Sequence, residues 1–306
     1  MKDLVIFLLV LPLKQLLVSA QVVFDNEFKD VFSGGLPVTL DSQKEGSALN
    51  SRWCGIPGRT ATRIVGGKSA AIGSWPWLAI LLDQRSKAYI CGGTLMTNRW
   101  VLTAAHCLRS QSPQRIKVRL KEHNITSIND GLHIDVGVSR LLIHPQYIEK
   151  THTNDIALVQ LSRRIPFSER LRPSCLPSSL QWVNTDLTGA KATVIGFGRR
   201  SFTEGELSDV IKEVEVIIFS KLSCLQAYSR FKNVLITSNT ICAGHPFGGK
   251  DACRGDSGGP LLYQVSGRFF VIGVVSTGHL CGSASYPGVY TYVPNYSEWI
   301  LSSIEE

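Results

Sequence analysis

A serine in a glycine-rich turn is the first residue whose setting suits chemistry. The segment Gly255-Asp256-Ser257-Gly258-Gly259 surrounds Ser257 with residues that tolerate unusual backbone angles. In such a turn, backbone N–H groups can converge beside the hydroxyl, as they do around a nucleophile with an oxyanion hole. Alone, the pattern is also that of an ordinary turn. Nucleophilic catalysis would further need a base and a group that orients the base.

Two other segments offer candidates for these roles. His106 lies in Thr103-Ala104-Ala105-His106-Cys107, after an apolar segment that predicts a strand and beside a cysteine that can anchor it. Asp155 begins the apolar run Asn154-Asp155-Ile156-Ala157-Leu158. Alone, such a histidine is usually a hydrogen-bonded core residue, and such an aspartate a cap or turn residue. Only the combination of serine, base and acid is specific.

Composition restricts the class of protein. The chain has 306 residues, of which 44% are hydrophobic and 18% charged, so it can bury a large core and is not disordered throughout. The net charge is +8, but the chain has no long run of like charges, and its basic residues are not interleaved with aromatic ones. We therefore expect no nucleic-acid partner.

The first twenty residues have the pattern of a secretory signal peptide. Lys2 precedes an apolar run from Leu4 to Leu13, and the small residues of Val18-Ser19-Ala20 suit signal peptidase. The sequence therefore predicts a secreted, extracellular protein whose mature chain begins at Gln21. An uncleaved anchor is a minor alternative. No later segment is apolar enough to predict a membrane span.

Eight cysteines in an oxidising compartment predict disulfides rather than metal ligands. The sequence has no C-x-x-C or H-E-x-x-H pattern that would indicate zinc. Two triplets, Asn124-Ile125-Thr126 and Asn295-Tyr296-Ser297, are possible N-glycosylation sites and fit a secreted glycoprotein.

The chain changes character at Ile64. Residues 21–63 are polar and predict a flexible pro-segment, whose only cysteine, Cys54, must pair with the rest of the protein or with another chain. After Ile64, short β-branched runs recur between turn signals and predict an all-β domain, with one helix of any length beginning near Asn295. The predicted strands are Trp77–Leu82, Ile116–Leu120, Ala157–Leu161, Ala192–Ile195, Arg268–Val275 and Val289–Val293.

Four segments together resemble the chymotrypsin/trypsin-like serine proteases. They are Ile64-Val65-Gly66-Gly67, Thr103 to Cys107, Asn154 to Leu158 and Gly255 to Pro260, in the order of that family. The resemblance implies two packed antiparallel six-stranded β-barrels and a C-terminal α-helix. It also implies that the chain is divided into a signal peptide at 1–20, a pro-segment or light chain at 21–63 that is tethered by a disulfide, and a protease domain at 64–306.

The resemblance also assigns roles to single residues. Ser257 would be the nucleophile, His106 the general base and then acid, and Asp155 the group that holds the imidazole tautomer. The N–H groups of Gly255 and Ser257 would form the oxyanion hole. Ser276 matches the serine that supports the aspartate in this family.

Substrate specificity follows from another part of the resemblance. Asp251 occupies the place of a carboxylate at the floor of the primary pocket, and Gly278 and Gly288 match the glycines that keep the pocket open, so we expect cleavage after Arg or Lys. Two residues depart from the family pattern, because Thr277 replaces a usual Trp and Leu280 a usual Gly. These departures leave an alternative, a catalytically weak or inactive homologue that acts as a binding or cofactor protein.

The resemblance further implies a zymogen. Cleavage between Arg63 and Ile64 would free an α-amino group that pairs with Asp256 and orders the oxyanion loop. The expected partners are an activating protease, protein or peptide substrates with Arg or Lys at the cleaved position, and inhibitors of the serpin or Kunitz type. A tethered pro-segment favours limited proteolysis over digestion. The family pattern pairs Cys54 with Cys175, Cys91 with Cys107, Cys224 with Cys242, and Cys253 with Cys281.

A calcium loop is only partly represented. Glu122-His123-Asn124 resembles the start of that loop, but Leu132 stands where a closing carboxylate would be needed, so calcium is possible but is not predicted, and we expect no metal site and no cofactor. The basic cluster Arg115/Lys117/Arg119/Lys121 could bind sulfated glycans, although a solvated surface is the more common reading of such a cluster.

Overall fold

The computed structural model describes residues 49–58, 67–127, 133–178, 180–199, 206–249 and 251–305. The predicted signal peptide and the predicted cleavage pair lie outside these ranges. Within them, no helix has the length and apolar composition needed to cross a bilayer.

Six antiparallel strands form a first closed barrel, in the order β2-β3-β4-β7-β6-β5 with β5 returning to β2. Strand β5 shows why these segments form a barrel wall, because Ile116, Val118 and Leu120 point into the core while Lys117 and Arg119 alternate with them on the outer face. After the short strand β1 (Lys68–Ser69), the strands are β2 (Leu78–Asp83), β3 (Tyr89–Leu95), β4 (Trp100–Thr103), β5 (Ile116–Leu120), β6 (Ile134–Ile143) and β7 (Ala157–Leu161).

Six further strands form a second closed barrel, in which β8 (Lys191–Gly196) pairs with both β11 (Pro260–Val265) and β9 (Lys212–Ile218) and thereby closes the ring. Strand β1 extends this sheet by pairing with β9. The predicted fold class, two six-stranded antiparallel barrels, is confirmed. The strands are β8 (Lys191–Gly196), β9 (Lys212–Ile218), β10 (Thr240–Gly244), β11 (Pro260–Val265), β12 (Arg268–Thr277) and β13 (Gly288–Tyr292).

The described helices are α1 (Leu180–Asn184), α2 (Lys221–Tyr228) and α3 (Ser297–Glu305). Helix α3 follows a 3-10 turn at Val293–Tyr296, so the prediction of a helix beginning near Asn295 is confirmed within about one turn. The expectation that no other helix of any length exists is wrong. Helix α2 was missed because its leucines face solvent, so its sequence lacks a continuous apolar stripe.

Residues 49–58 are held against the second half of the chain. Cys54 forms a disulfide with Cys175. The side chain of Asn50 accepts a hydrogen bond from the Leu176 N–H at 2.7 Å and donates one to the Leu176 carbonyl at 2.9 Å. This part of the predicted pro-segment is therefore attached by hydrogen bonds from the Asn50 side chain as well as by a covalent bridge.

Four disulfides link all eight cysteines. They join the same residues that the family resemblance implies, namely Cys54 with Cys175, Cys91 with Cys107, Cys224 with Cys242, and Cys253 with Cys281.

Candidate active site

A histidine and a buried aspartate form a tight pair. His106 Nδ1 lies 2.7 Å from Asp155 Oδ2, and the His106 backbone N–H donates to Asp155 Oδ1 at 2.9 Å. The Asp155 side chain is fully buried, whereas the His106 ring is 23% exposed. Because a carboxylate accepts the Nδ1 proton, Nε2 is left free to accept a proton from another group.

The carboxylate of Asp155 has a second donor from the other barrel. Ser276 on β12 donates its hydroxyl to Asp155 Oδ2 at 2.6 Å, and Thr291 on β13 donates to the Asp155 backbone carbonyl at 2.8 Å. Burial favours the neutral acid, but the hydrogen bond from His106, the neighbouring His152 ring and the Ser276 hydroxyl outweigh it and hold the pKa of Asp155 well below its ordinary value. The aspartate is therefore an anion at neutral pH.

Local structure explains why His106 faces this aspartate. Strand β4 ends at Thr103, and the chain turns into a single 3-10 turn at Ala105–Cys107. The disulfide from Cys107 to Cys91 on β3 fixes that turn to the barrel. The histidine is thus held on a rigid corner rather than on a long loop.

Ser257 lies in a turn that is pinned to the first barrel. Its carbonyl accepts a hydrogen bond from the N–H of Gly92 at 2.8 Å, and Gly92 follows the cysteine that is bridged to Cys107. Gly258 has a φ of +77°, and any Cβ there would collide with the Thr103 hydroxyl and the Gly92 carbonyl. A glycine is therefore required next to the serine, and the turn brings the serine close to the 3-10 turn that carries the histidine.

The N–H groups of Gly255 and Ser257 donate no hydrogen bond within the described residues. Gly255 has a φ of +102°, and Tyr89 donates its hydroxyl to the Gly255 carbonyl at 2.7 Å. No hydrogen bond joins Ser257 to His106 among the described atoms, and His106 Nε2 lies 3.6 Å from Cys107 Sγ. A hydrogen bond between a catalytic serine and its histidine is often long or absent in a free enzyme and tightens only when substrate is bound.

Asp256, next to the serine, is a buried acid with two backbone donors. It accepts hydrogen bonds from Gly198 N at 2.8 Å and Cys253 N at 2.9 Å. Burial raises its pKa to about 6, since no cation of the described residues is paired with it. The carboxylate lines a cavity of about 540 Å³ that also contains Gly67. The predicted partner, the amino group of Ile64, lies outside the described residues.

A second cavity, of about 470 Å³, holds both Ser257 and Asp251, together with Gly278 and Gly288. A Cβ at Gly288 would lie 2.6 Å from Asp251 Oδ1, so a side chain at this position would cover the carboxylate. Asp251 accepts a hydrogen bond from Ala252 N at 2.7 Å. Because the carboxyl group is buried and poorly solvated, its pKa is raised to about 7, and a cationic ligand would stabilise its ionised form.

Both departures from the family pattern line this second cavity. Thr277 and Leu280 contribute to its wall, and Leu280 is 40% exposed and has a φ of +62°. A branched side chain in the left-handed region is uncommon and costs free energy. The rim of the cavity therefore contains a strained and partly exposed leucine.

The sequence did not single out His152. Its ring packs edge-on against His106 with 5.7 Å between ring centroids, and His152 Nδ1 lies 3.6 Å from Asp155 Oδ2. A signal was present, because His152 precedes Asp155 by three residues and the loop that delivers the aspartate also delivers this second imidazole.

The remaining predicted sites are not among the residues that line the two cavities of the cleft. The Glu122 carboxylate is paired with Arg119 at 3.1 Å, and Arg119 also binds Asp135 at 2.7 Å. Arg115 and Lys117 of the same basic cluster lie 3.6 Å and 3.7 Å from the carboxylates of Asp83 and Asp135, so three of its four cations are ion-paired. The Asn124 side-chain oxygen accepts from Thr126. The amide nitrogen of Asn295 donates hydrogen bonds to Ser238 O and Asn239 Oδ1, and a glycan there would replace one of the two hydrogens that make them.

Comparison with known proteins identifies relatives along most of the chain. A family model described as "Trypsin" matches residues 64–300. The proclotting enzyme of Tachypleus tridentatus is 41% identical over 258 residues, which cover 81% of this chain and 68% of that protein. The venom serine protease Bi-VSP of Bombus ignitus is 40% identical over 260 residues, covering 82% of this chain and 71% of that protein. The clotting factor G beta subunit of Tachypleus tridentatus is 33% identical over 289 residues, covering 91% of each chain.

The family match extends over both barrels and includes every residue of the cleft described above. Identity near 40% over some four fifths of the chain supports the same assignment. The chain therefore belongs to the trypsin family of serine proteases and is a peptide hydrolase.

Proposed function

We propose that this chain is a secreted serine endopeptidase that cleaves after Arg or Lys and is made as a zymogen. The observation that carries the proposal is the cavity of about 470 Å³ that holds both Asp251 and Ser257. A long cationic side chain that reaches the carboxylate leaves its own carbonyl group beside the serine hydroxyl. Recognition and chemistry would then occur within one site.

The proposed reaction proceeds through an acyl-enzyme. Ser257 Oγ attacks the carbonyl carbon while His106 Nε2 accepts the hydroxyl proton, and Asp155 holds the imidazole in the tautomer that permits this. The oxyanion accepts hydrogen bonds from the N–H groups of Gly255 and Ser257, each worth about 3 to 4 kcal/mol in the transition state. His106 then donates the proton to the leaving amine, and water repeats the sequence to release the acid.

Specificity for Arg and Lys would come from the charge and shape of the pocket. Asp251 is buried and lacks a cationic partner among the described residues, so a guanidinium group could pair with both of its oxygens, and an ammonium group could bind through water. Gly278 and Gly288 leave room for the side chain. Leu280 at the rim would slow the turnover of short generic substrates.

Activation would depend on Asp256. Cleavage between Arg63 and Ile64 creates an α-amino group, and Gly67, three residues later, already lines the cavity that contains the Asp256 carboxylate. Three extended residues span about 10 Å, which is enough to enter such a cavity. An ion pair there would offset the cost of burying the carboxylate and order the oxyanion loop.

The proposed organisation is a signal peptide at 1–20, a light chain at 21–63 and a protease domain at 64–306. The disulfide from Cys54 to Cys175 would keep the light chain attached after cleavage. Relatives named as a proclotting enzyme and a clotting factor subunit support limited proteolysis in a cascade. A separate activating protease, inhibitors of the serpin or Kunitz type, and glycans at Asn124 and Asn295 belong to the same proposal.

The decisive experiment measures hydrolysis of amide peptides ending in Arg, Lys or Phe, before and after cleavage at Arg63. We expect hydrolysis of the Arg and Lys peptides only after cleavage, none by the Ser257→Ala variant, and loss of Arg hydrolysis in Asp251→Ser. Arg cleavage retained in Asp251→Ser would refute the specificity assignment. No hydrolysis after a verified cut would instead favour the inactive homologue that acts as a binding or cofactor protein.

A further inference from the structure

Three possible metal ligands converge beside the proposed nucleophile. One ring nitrogen from each of His106 and His152 and a carboxylate oxygen of Asp155 all lie within 4.8 Å of one another. A second group, which contains Cys91, His106 and Cys107, is of no use to a metal because both sulfurs are in a disulfide. Only the first group offers three available donors.

The ring nitrogen of His152 that faces the aspartate makes no hydrogen bond within the described residues. It follows the 3-10 turn Glu149–Thr151 and has a φ of +53°, an uncommon conformation for a residue with a side chain. Its Nδ1 is buried and has no hydrogen-bond partner among the described residues, since the 3.6 Å to Asp155 Oδ2 is too long for one. A buried unsatisfied nitrogen of this kind calls for an explanation.

The distances suit a small tetrahedral ion. Zinc binds imidazole nitrogen and carboxylate oxygen at about 2.0 to 2.2 Å, so two ligands of one tetrahedral ion are about 3.4 Å apart. His152 Nδ1 and Asp155 Oδ2 are already 3.6 Å apart. His106 Nδ1 is 2.7 Å from the same oxygen, so the ion would have to replace the proton that joins them and lengthen the separation by under about 1 Å.

We propose that a divalent transition-metal ion such as Zn²⁺ binds His152, His106 Nδ1 and Asp155 Oδ2 and reversibly inhibits the protease. A metal on Nδ1 places the imidazole proton of neutral His106 on Nε2. The nitrogen that must accept the serine proton is then blocked, while the net number of protons on the ring is unchanged.

The surroundings permit such an ion to enter and to complete its coordination. A cavity of about 620 Å³ is lined by both imidazoles and by Tyr147. The Tyr147 hydroxyl is buried and has no hydrogen-bond partner among the described residues, so it can bind a water that serves as the fourth ligand. The carboxylate of Asp155, whose side chain is fully buried, supplies the oxygen ligand.

Zinc binding can be tested without any measurement of activity. Isothermal titration calorimetry of the full-length, disulfide-linked protein with zinc chloride should show one ion per chain. His152→Gln, which removes one ligand, should weaken the affinity at least about tenfold. His245→Gln is the matched control, because that histidine lies outside the site, and its affinity should equal that of the unaltered protein. Unchanged affinity in His152→Gln would overturn the proposal.

Proton NMR tests the displacement directly. The hydrogen shared by His106 Nδ1 and Asp155 should give a strongly downfield signal that disappears on addition of zinc in the unaltered protein but persists in His152→Gln. A signal that survives saturation of the site with zinc would refute binding at Nδ1. Both this readout and calorimetry remain valid if the proposed peptidase activity is absent.

Inhibition rests on the proposed function and is measured last. Zinc should abolish hydrolysis of an Arg peptide by the cleaved protein, EDTA should restore it, and His152→Gln should resist zinc. If the ion binds through His152 but hydrolysis continues, the proposed blocking of His106 is wrong.

Discussion

Ser276 donates its hydroxyl to Asp155 Oδ2 at 2.6 Å across the boundary between the two barrels. Ser276 lies on β12 of the second barrel, whereas Asp155 precedes β7 of the first. This one contact therefore couples the relative placement of the barrels to the orientation of the carboxylate that holds His106.

Removing that hydroxyl should impair chemistry more than binding. In the cleaved Ser276→Ala variant we expect kcat to fall about tenfold, which corresponds to about 1.4 kcal/mol and is near the low end for a hydrogen bond to a charged group. KM should change little, because alanine keeps the shape of the neighbouring cavity. Steady-state kinetics on an Arg peptide would measure both constants, with Ser302→Ala on the exposed face of α3 as control. A rise in KM at constant kcat would contradict a positioning role.

The buried carboxylate of Asp251 should make the binding of cations depend on pH. Its pKa is raised to about 7 by burial, and only the ionised form attracts a cation, so affinity should be constant well above pH 7 and weaken about tenfold per unit below it. Calorimetric titration with benzamidine, a cationic probe, would test this without reference to catalysis. Neutral benzamide is the control and should show no such trend. An affinity for benzamidine that does not change between pH 5 and 8, roughly the range that spans this pKa, would exclude the assignment.

Cleavage at Arg63 should stabilise the protein in a pH-dependent manner. In the uncleaved chain burial raises the pKa of Asp256 from 3.8 to about 6. The free energy of unfolding therefore falls by about 3 kcal/mol as pH rises from the lower of these two pKa values to the higher, because the folded state resists ionisation of this acid. In the cleaved chain the Ile64 ammonium should offset this loss. We therefore expect the difference in Tm between cleaved and uncleaved protein to be small at low pH, to grow as pH rises through the interval, and to shrink again when the amine deprotonates in alkali.

Differential scanning calorimetry of both forms across pH would measure this difference. Asp256→Asn is the control, since its two forms should melt alike at every pH. Peptidase activity should also fall in alkali as the amine loses its proton, and activity that stays flat to about pH 11 would argue against the ion pair.

Replacing Leu280 by glycine should relieve strain and open the pocket rim. Leu280 has a φ of +62°, and the left-handed region costs an L-residue roughly 1 to 2 kcal/mol, so Leu280→Gly should raise the free energy of unfolding by up to about 1 kcal/mol after the entropy of glycine is included. It should also lower KM for Arg peptides several-fold. Lys87→Gly is a matched control with a φ of +63° in the turn between β2 and β3. It should stabilise similarly without changing KM. Equal effects of both variants on KM would show that the Leu280 side chain does not restrict the entry of substrate into the pocket.

Many of the strands could be predicted from local patterns of hydrophobic residues in the sequence. The alternation in β5 and the short apolar runs of β7 and β8 predict strands because one face of each must be buried. Strand β6 was missed, since most of its residues are exposed or only partly buried and the strand is set by pairing with β5 and β7. Helix α2 was missed for a related reason, because it packs through Cys224 and Tyr228 rather than through an apolar stripe.

The sequence by itself determined the motifs of His106, Asp155 and Ser257, because each depends on a local turn, and their order along the chain marks the family. Only the tertiary structure decided what surrounds them. Ser276, Thr291 and His152 reach Asp155 through the packing of two barrels and the path of a loop, contacts between residues that lie up to 136 positions apart. Burial also depends on that packing, so the raised pKa values of Asp251 and Asp256 could not be inferred from the residues that flank them in sequence.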